Sequence, residues 1–327
     1  MSVSGYRIQL PLNNKKRDIN PAASSAAGFF IGPSGARPAA LCGAVGVYSA
    51  VIRGRTNTMK LKISLLTLLP LALALPGCDR PPSGSADADN LMVSEAMDAS
   101  VYAAAVANTD RPEKDLARDE RSAPADVLEF FEIRPGMRVL DLFSGSGYYT
   151  ELLSYVVGPG GSVVAHNNSA YAGYLGDEIE KRYADDRLPN VETLMAENNE
   201  LKLAADEFDA ILMILAYHDV YYANPKDGWP RIDGARMLAE LHKALKPGGV
   251  LGIVDHYAEA GAPRETGGSV HRIDPGIVIA DVTGAGFRLE EKSDELRNMN
   301  DDYSKTVFDP ELRGKTDRFI LRFRKPE

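Results

Sequence analysis

Cysteine is scarce in this 327-residue chain: Cys42 and Cys78 are its two thiols. That is too few for a disulfide framework or a Cys-based zinc site. Acid is scarce too, but only at one end. Residues 1–77 carry nine Lys/Arg and a single acid, Asp18, leaving 28 basic and 45 acidic residues in 78–327. Such asymmetry marks a targeting or processing segment rather than a second domain. The net charge of −17 over 78–327 argues against a nucleic-acid partner, because phosphate contacts need a basic face. The apolar run Ile63 to Leu75 is shorter than the roughly 20 residues a mature spanning helix needs. What is present is ordinary for a globular chain, 44% apolar and 25% charged. One folded domain plus a leader is the economical count.

The leader reads most clearly from Met59. Lys60 and Lys62 form a short positive region, and Ile63 to Leu75 follows as a secretory core. It ends Leu75-Pro76-Gly77-Cys78, which resembles the bacterial lipobox. That resemblance implies cleavage before Cys78 and a lipid anchor on it, with 59–77 as signal peptide. Residues 78–92, rich in small and polar side chains, then form a flexible tether. The protein would face the periplasm, with Asp79 pointing to the inner membrane; without a working leader it would stay cytoplasmic. Residues 1–58 are basic and unpatterned, a non-native upstream extension or a transit-like leader.

From about residue 93 helical and strand patterns alternate to the C-terminus. A helix-prone opening (Ser94 to Ala107) precedes a charged stretch, Asp110 to Arg121, expected to be a solvated face. Val139, Leu140 and Leu142 then read as a short buried strand. It runs into Ser144-Gly145-Ser146-Gly147 and a helix with its apolar stripe at Tyr149, Leu152, Leu153, Val156 and Val157. Strand, glycine turn and helix make the nucleotide-binding corner of an open α/β sheet. The dinucleotide fingerprint lacks its third Gly, and no Lys-Ser/Thr follows the turn, which disfavours NAD and excludes a P-loop there.

Asp141, four residues before Gly145 in D-x-x-x-G-x-G, resembles motif I of the Rossmann-like (class I) S-adenosylmethionine (SAM) methyltransferases. The rest of that pattern follows in order. A strand Gly161 to His166 leads to Asn167, at the position where the family places a ribose-binding acid. After a helix around Tyr174 to Tyr183, Val191 to Met195 leads to Glu197 and Asn198, at the adenine-binding position. Glu207-Phe208-Asp209 opens a strand to Leu215. Helix Ala235 to Leu245 ends in Leu245-Lys246-Pro247-Gly248-Gly249, a turn that feeds strand Val250 to Val254. Phe287 to Lys292 and Arg318 to Arg324 close the sheet. The resemblance covers nearly all of 110–327 and implies a seven-stranded, mostly parallel Rossmann-like sheet. Helices would cover both faces, with an antiparallel strand pair at the C-terminus. It implies SAM as cofactor, held by Asp141, Gly145, Gly147, Asn167, Glu197 and Asn198. A bulky residue at Gly147 is expected to abolish ligand binding without unfolding the domain.

Candidate acceptor-side groups lie beyond the fourth and fifth strands: His218 and Asp219, then Asp255 and His256. His218 is the general-base candidate, with a carboxylate such as Asp219 to orient it; the alternative is a loop cap. His166, His218, Asp219, His256 and His271 match no metal-ligand spacing, so no metal is expected. The acids Asp301 and Asp302 read as a solvated loop or an acceptor lid. Two functions compete. One is a membrane-tethered SAM-dependent methyltransferase acting on a small molecule or envelope component. The other is an exported, non-catalytic binding protein on the same fold, a reading favoured by Asn167. Oligomeric state and acceptor are open.

Overall fold

The computed structural model describes residues 101–327. The expectations for 1–58, the signal peptide 59–77, the anchor Cys78, the tether 78–92 and the first residues of the domain lie outside them. Among the described residues no helix is long and apolar enough to cross a membrane.

The seven strands follow from short apolar runs, each bounded by turn residues. They are β1 (Arg138–Leu142), β2 (Ser162–Asn167), β3 (Val191–Met195), β4 (Phe208–Ile214), β5 (Leu245–His256), β6 (Arg288–Ser293) and β7 (Arg318–Arg324). They form one sheet in the order β3-β2-β1-β4-β5-β7-β6. β1 pairs in parallel with β2 and β4, and β7 pairs antiparallel with both β5 and β6. The expected sheet and its closing pair are therefore present. Strand order reverses between β1 and β4, and such a switch point opens a ligand crevice at the strands' C-terminal ends.

Helices bury both faces, which is why the central strands are mostly apolar, with the buried Asp141 of β1 as an exception. α1 (Glu113–Ser122) and α2 (Pro124–Phe130) precede β1, and α3 (Tyr148–Val157) follows it. On one face Val139, Leu212 and Val250 pack with Val127 and Leu128 of α2 and with Leu152, Leu153 and Val156 of α3. On the other, Leu140, Ile211 and Leu251 meet Met237, Leu238 and Leu241 of a helix at Gly234–Ala244 and Val278 and Val282 of one at Pro275–Gly284. Neighbouring residues of one strand thus enter opposite cores, as the two-residue strand period requires. Each such Leu contributes about 1.5–3 kcal/mol through burial.

Four local expectations change. The helix expected near Tyr174 to Tyr183 is two, α4 (Ser169–Leu175) and α5 (Glu178–Tyr183), interrupted at Gly176, whose φ is +59°. The Leu245-Lys246-Pro247-Gly248-Gly249 segment is part of β5: Phe208 pairs with Leu245 and Ala210 with Val250, so 246–249 bulge out opposite Asp209. The charged stretch 110–121 is solvated on one side only: Glu113, Lys114, Glu120 and Arg121 are exposed, but two of its charges are not. Arg111 is buried against Asp119, and Asp115 against Arg182 of α5. Asp301 is likewise buried, in an ion pair with Arg272, whereas Asp302 beside it is exposed, so the loop is anchored through one acid and solvated at the other.

Candidate functional site

At the end of β1 the chain turns through Phe143 (φ +58°), Ser144, Gly145 (φ +59°), Ser146 and Gly147 (φ +84°) before α3 begins. Two neighbours pin this loop. Ser144 N donates to the His166 carbonyl at 2.8 Å. Asn167, 2% exposed at the end of β2, accepts from Gly145 N at 3.0 Å. Its amide nitrogen also donates to Ser144 Oγ and to the Gly145 carbonyl, both at 3.0 Å. A carboxylate could accept the first bond but supply neither of the others. Asn167, expected near a ribose, is thus engaged in closing the glycine loop.

The two glycines do different jobs. A Cβ on Gly147 would lie 2.7 Å from Tyr183 Oη and 3.1 Å from Arg182 Cγ, whereas one on Gly145 would meet nothing within 4 Å. Gly147 lets α5 pack onto the loop, so a bulky residue there disturbs the fold, contrary to the expectation that only ligand binding would suffer. Gly145 is the open one, and it lines a cavity of about 200 Å³ together with Asp141, Ser144, Tyr148, Tyr171 and Arg118.

Asp141 is 2% exposed, and its Oδ2 accepts from Thr150 Oγ1 at 2.6 Å. Burial raises its pKa to about 7, against the opposing pull of the Thr150 hydrogen bond and the Arg118 charge. Across the cavity the Arg118 guanidinium sits 4.0 Å from the Tyr148 ring centroid, a cation–π contact. Sequence reasoning missed Arg118 because its neighbours read as surface charge. Glu197, beyond β3, accepts from Ser169 N at 3.3 Å. It lines a second cavity of about 380 Å³ that is also bordered by Gly228 and Pro230. Trp229 between those two residues lies 5.6 Å, ring to ring, from Tyr171 of the first cavity. Asn198 is buried, accepting from Asn168 Nδ2 at 2.8 Å. A larger cavity of about 790 Å³, lined by Tyr221, Arg231, Arg264 and Asp281, touches none of the glycine-loop residues. The smaller cavity is the better candidate, because it holds the strand acid and the open glycine.

Beyond Tyr171 lies the second constellation. Tyr171 Oη donates to Asp219 Oδ2 at 2.6 Å, which joins the cavity wall to the helical turn Tyr217–Tyr221 after β4. His218 and Asp219, both buried, occupy that turn. The closest partner of His218 is Asp255 at the end of β5: Nδ1 to Oδ1 is 2.8 Å, against 3.4 Å from Nε2 to Asp219 Oδ1. Backbone N–H groups of His218 and His256 donate to the Asp255 carboxylate at 2.8 and 2.7 Å. Burial pulls the His218 pKa down, but Asp255 and Asp219 outweigh it and raise it to about 9. At neutral pH the ring is therefore a cation, and the free base expected of it is the minor form. Asp219 is held below the usual carboxylate range, burial being outweighed by His218, His271 and Tyr171.

His271 completes the group. It follows the short helix Thr266–Val270 at φ 55°, ψ 47°, with Nδ1 3.5 Å from Asp219 Oδ1. His256 bonds Thr316 Oγ1 at 2.7 Å, and burial, with the His218 charge, lowers its pKa well below normal. His166 stands apart: its Nε2 lies 2.9 Å from the Ala196 carbonyl, and burial lowers its pKa to about 4.

Several of the known proteins to which this chain is similar are named as methyltransferases. Residues 95–221 match the family described as protein-L-isoaspartate(D-aspartate) O-methyltransferase. The chain is 30% identical over 130 residues to the ubiquinone/menaquinone biosynthesis C-methyltransferase UbiE of Legionella pneumophila (strain Paris), covering 39% of this chain and 46% of that protein. It is 25% identical over 126 residues to the demethylmenaquinone methyltransferase of Lysinibacillus sphaericus (strain C3-41), covering 38% and 47%. The chain thus spans about half the length of the curated relatives it matches. A solved SAM-dependent methyltransferase from Aquifex aeolicus aligns with TM-score 0.46 and 24% identity, over 64% of this chain and 93% of that one.

Proposed function

We propose that this protein is a SAM-dependent methyltransferase whose cofactor lies against the β1 corner. The observation that carries the reading is the pairing of Asp141 with Arg118 around the open Gly145. A buried acid and a cation across a small cavity fit the ammonium and carboxylate of an amino-acid zwitterion. Gly145 leaves the loop backbone uncovered on that side.

Asp141 is assigned to the ammonium, Arg118 to the carboxylate, and Glu197 to the adenosine end in the second cavity. Asn167 and Gly147 shape the loop, and Asn198 braces Asn168. When bound, SAM supplies an electrophilic methyl whose bond to sulfur breaks as the acceptor nucleophile bonds to it in line. The protein's share is to hold the two in register and exclude water. His218 and Asp219 stand on the acceptor side, one hydrogen bond beyond Tyr171.

The names of the relatives point to acceptors as different as an isoaspartyl group and a quinone, so the acceptor is proposed only as a small molecule or envelope component. The lipobox-like Leu75-Pro76-Gly77-Cys78 supports tethering to a membrane through Cys78, facing the periplasm. Replacing Cys78 with Ser then releases the protein into the soluble fraction; a variant still in the membrane pellet refutes the anchor.

The deciding experiment is calorimetric titration of the full chain with SAM, and separately with S-adenosylhomocysteine. Affinity on the order of micromolar or tighter, about −8 kcal/mol, supports the enzyme. No binding by a chain shown to be folded supports the alternative, a non-catalytic binding protein on this fold.

A further inference from the structure

Three side chains from two separate segments turn their donor atoms toward one point. We propose that His218, Asp219 and His271 form a binding site for a first-row divalent metal ion of the zinc type. His218 Nε2 and His271 Nδ1 lie 3.4 and 3.5 Å from the same oxygen, Asp219 Oδ1. Donor atoms of the three residues all fall within 4.8 Å of one another. Separations of 3.4 and 3.5 Å exceed the roughly 2.9–3.0 Å of a good N–H···O hydrogen bond. They match the spacing of about 3.3–3.5 Å between ligands bonded to one tetrahedral ion at about 2.0–2.1 Å.

The ligands are already oriented, each by a partner on its other side. His218 Nδ1 faces Asp255 Oδ1 at 2.8 Å, and Asp255 is itself held by two backbone N–H groups. Asp219 Oδ2 accepts from Tyr171. A carboxylate behind a ligating imidazole fixes its tautomer, so the proton that metal binding must displace from the His218 cation leaves from Nε2, to solvent, and bares that atom for the metal. His271 sits in the left-handed region, which residues other than glycine adopt uncommonly, Asn, Asp and His most often among them. Its chain neighbour Arg272, fully buried, holds it there through Asp301 and the carbonyls of Tyr257 and Lys305. The Tyr222 and Phe308 rings pack 5.5 and 4.7 Å from the His271 imidazole.

Two imidazoles and one carboxylate suit zinc, iron(II) or cobalt(II), whereas magnesium and calcium prefer all-oxygen shells. The His271 side chain is 21% exposed, against 5% and 9% for His218 and Asp219, so the group opens on the His271 side. Three protein ligands with an open fourth position are the arrangement of a catalytic rather than a structural zinc site. The inference does not rest on the methyl-transfer reading, because its test contains no SAM.

The test is to strip the full chain with a chelator and titrate it with zinc in a calorimeter. In parallel, cobalt(II) is followed by visible absorption. One ion per chain at micromolar or tighter affinity is expected, with cobalt bands of a four- or five-coordinate nitrogen–oxygen site. His271→Asn, which keeps a residue tolerant of the left-handed backbone, and Asp219→Ala should each weaken zinc at least about 100-fold; Asp255→Asn should do so about 10–100-fold. His242→Gln, on a helix outside the group, should change nothing. Failure of the folded wild-type chain to bind a stoichiometric ion overturns the site and leaves a purely hydrogen-bonded cluster. Tight binding that survives both His271→Asn and Asp219→Ala in folded protein overturns it as well, by locating the ion elsewhere.

Discussion

The glycine corner after β1 and the histidine cluster after β4 and β5 lie on either side of one tyrosine, yet they are built in opposite ways. The corner is local at its centre: Asp141, Ser144, Gly145 and Tyr148 lie within eight residues, and one strand-to-helix turn places them, with Arg118 and Tyr171 brought to its wall from elsewhere. The cluster is nearly all tertiary: His218, Asp219, Asp255 and His271 come from the ends of two strands and a short helix. The corner obtains its shape from backbone conformation at positive φ. The cluster obtains its shape from buried charge, with each group oriented by another. A local site tolerates drift in the rest of the fold, whereas an assembled one depends on the loops that carry its parts.

Several substitutions break or sharpen that contrast, and the largest effect is expected at Arg272. Arg272→Met leaves the buried Asp301 carboxylate unpaired, and removing one partner of such a pair costs about 3–5 kcal/mol. Denaturant unfolding measures it. A loss under about 1 kcal/mol would show that the loop behind His271 is not held by this ion pair. Next come the glycines. Gly147→Val drives a side chain into Tyr183 and Arg182 and should destabilise the fold by about 2–4 kcal/mol. Gly145→Val keeps more of the stability, losing about 1–2 kcal/mol to its positive φ, but weakens SAM at least tenfold. Equal effects at the two positions would erase the distinction drawn between them.

A third test concerns Asn167. Asn167→Asp installs the acid expected beside a ribose, but removes two donated hydrogen bonds and sets a carboxylate against the Gly145 carbonyl. The expected result is a loss of about 1–3 kcal/mol in stability and no gain in SAM affinity. Tighter SAM binding by this variant would mean that position 167 reaches the ribose after all.

The smallest expected effect is that of pH on the corner. Asp141 titrates near 7 because burial disfavours its charged form. The carboxylate that would meet an ammonium is therefore formed above pH 7 and lost below it. SAM affinity should rise as pH increases from 6 to 8, by up to about tenfold per unit on the acid side. In Asp141→Asn that slope should vanish, with affinity about tenfold weaker at pH 8. A slope that survives in the variant would assign the titration to another group.

Much of the corner is legible along the chain, because a four-residue spacing from strand acid to glycine determines a backbone path. The strands are legible for a similar reason: central strands buried on both faces must be apolar along most of their length. The charged run at 110–121 is not. Whether Arg111, Arg118 and Asp115 face water depends on what packs against them, and Tyr148 and Arg182 come from other parts of the chain. His271 is visible there only as a residue type. Its neighbour in space, Asp219, is 52 positions away, and nothing periodic links them.

By itself, then, the sequence determined the α/β class, the order of strands and helices, and the glycine turn with its buried acid. Each of these is carried by residues close together along the chain, where spacing is geometry. Tertiary structure alone decided that Asn167 closes the loop, that Gly147 is covered while Gly145 is open, and that Asp255 rather than Asp219 is the closer partner of His218. It alone brought His271 to the same point. Those outcomes depend on which distant groups share a low-dielectric interior. There, an unpaired charge or donor is expensive enough for burial to dictate partners.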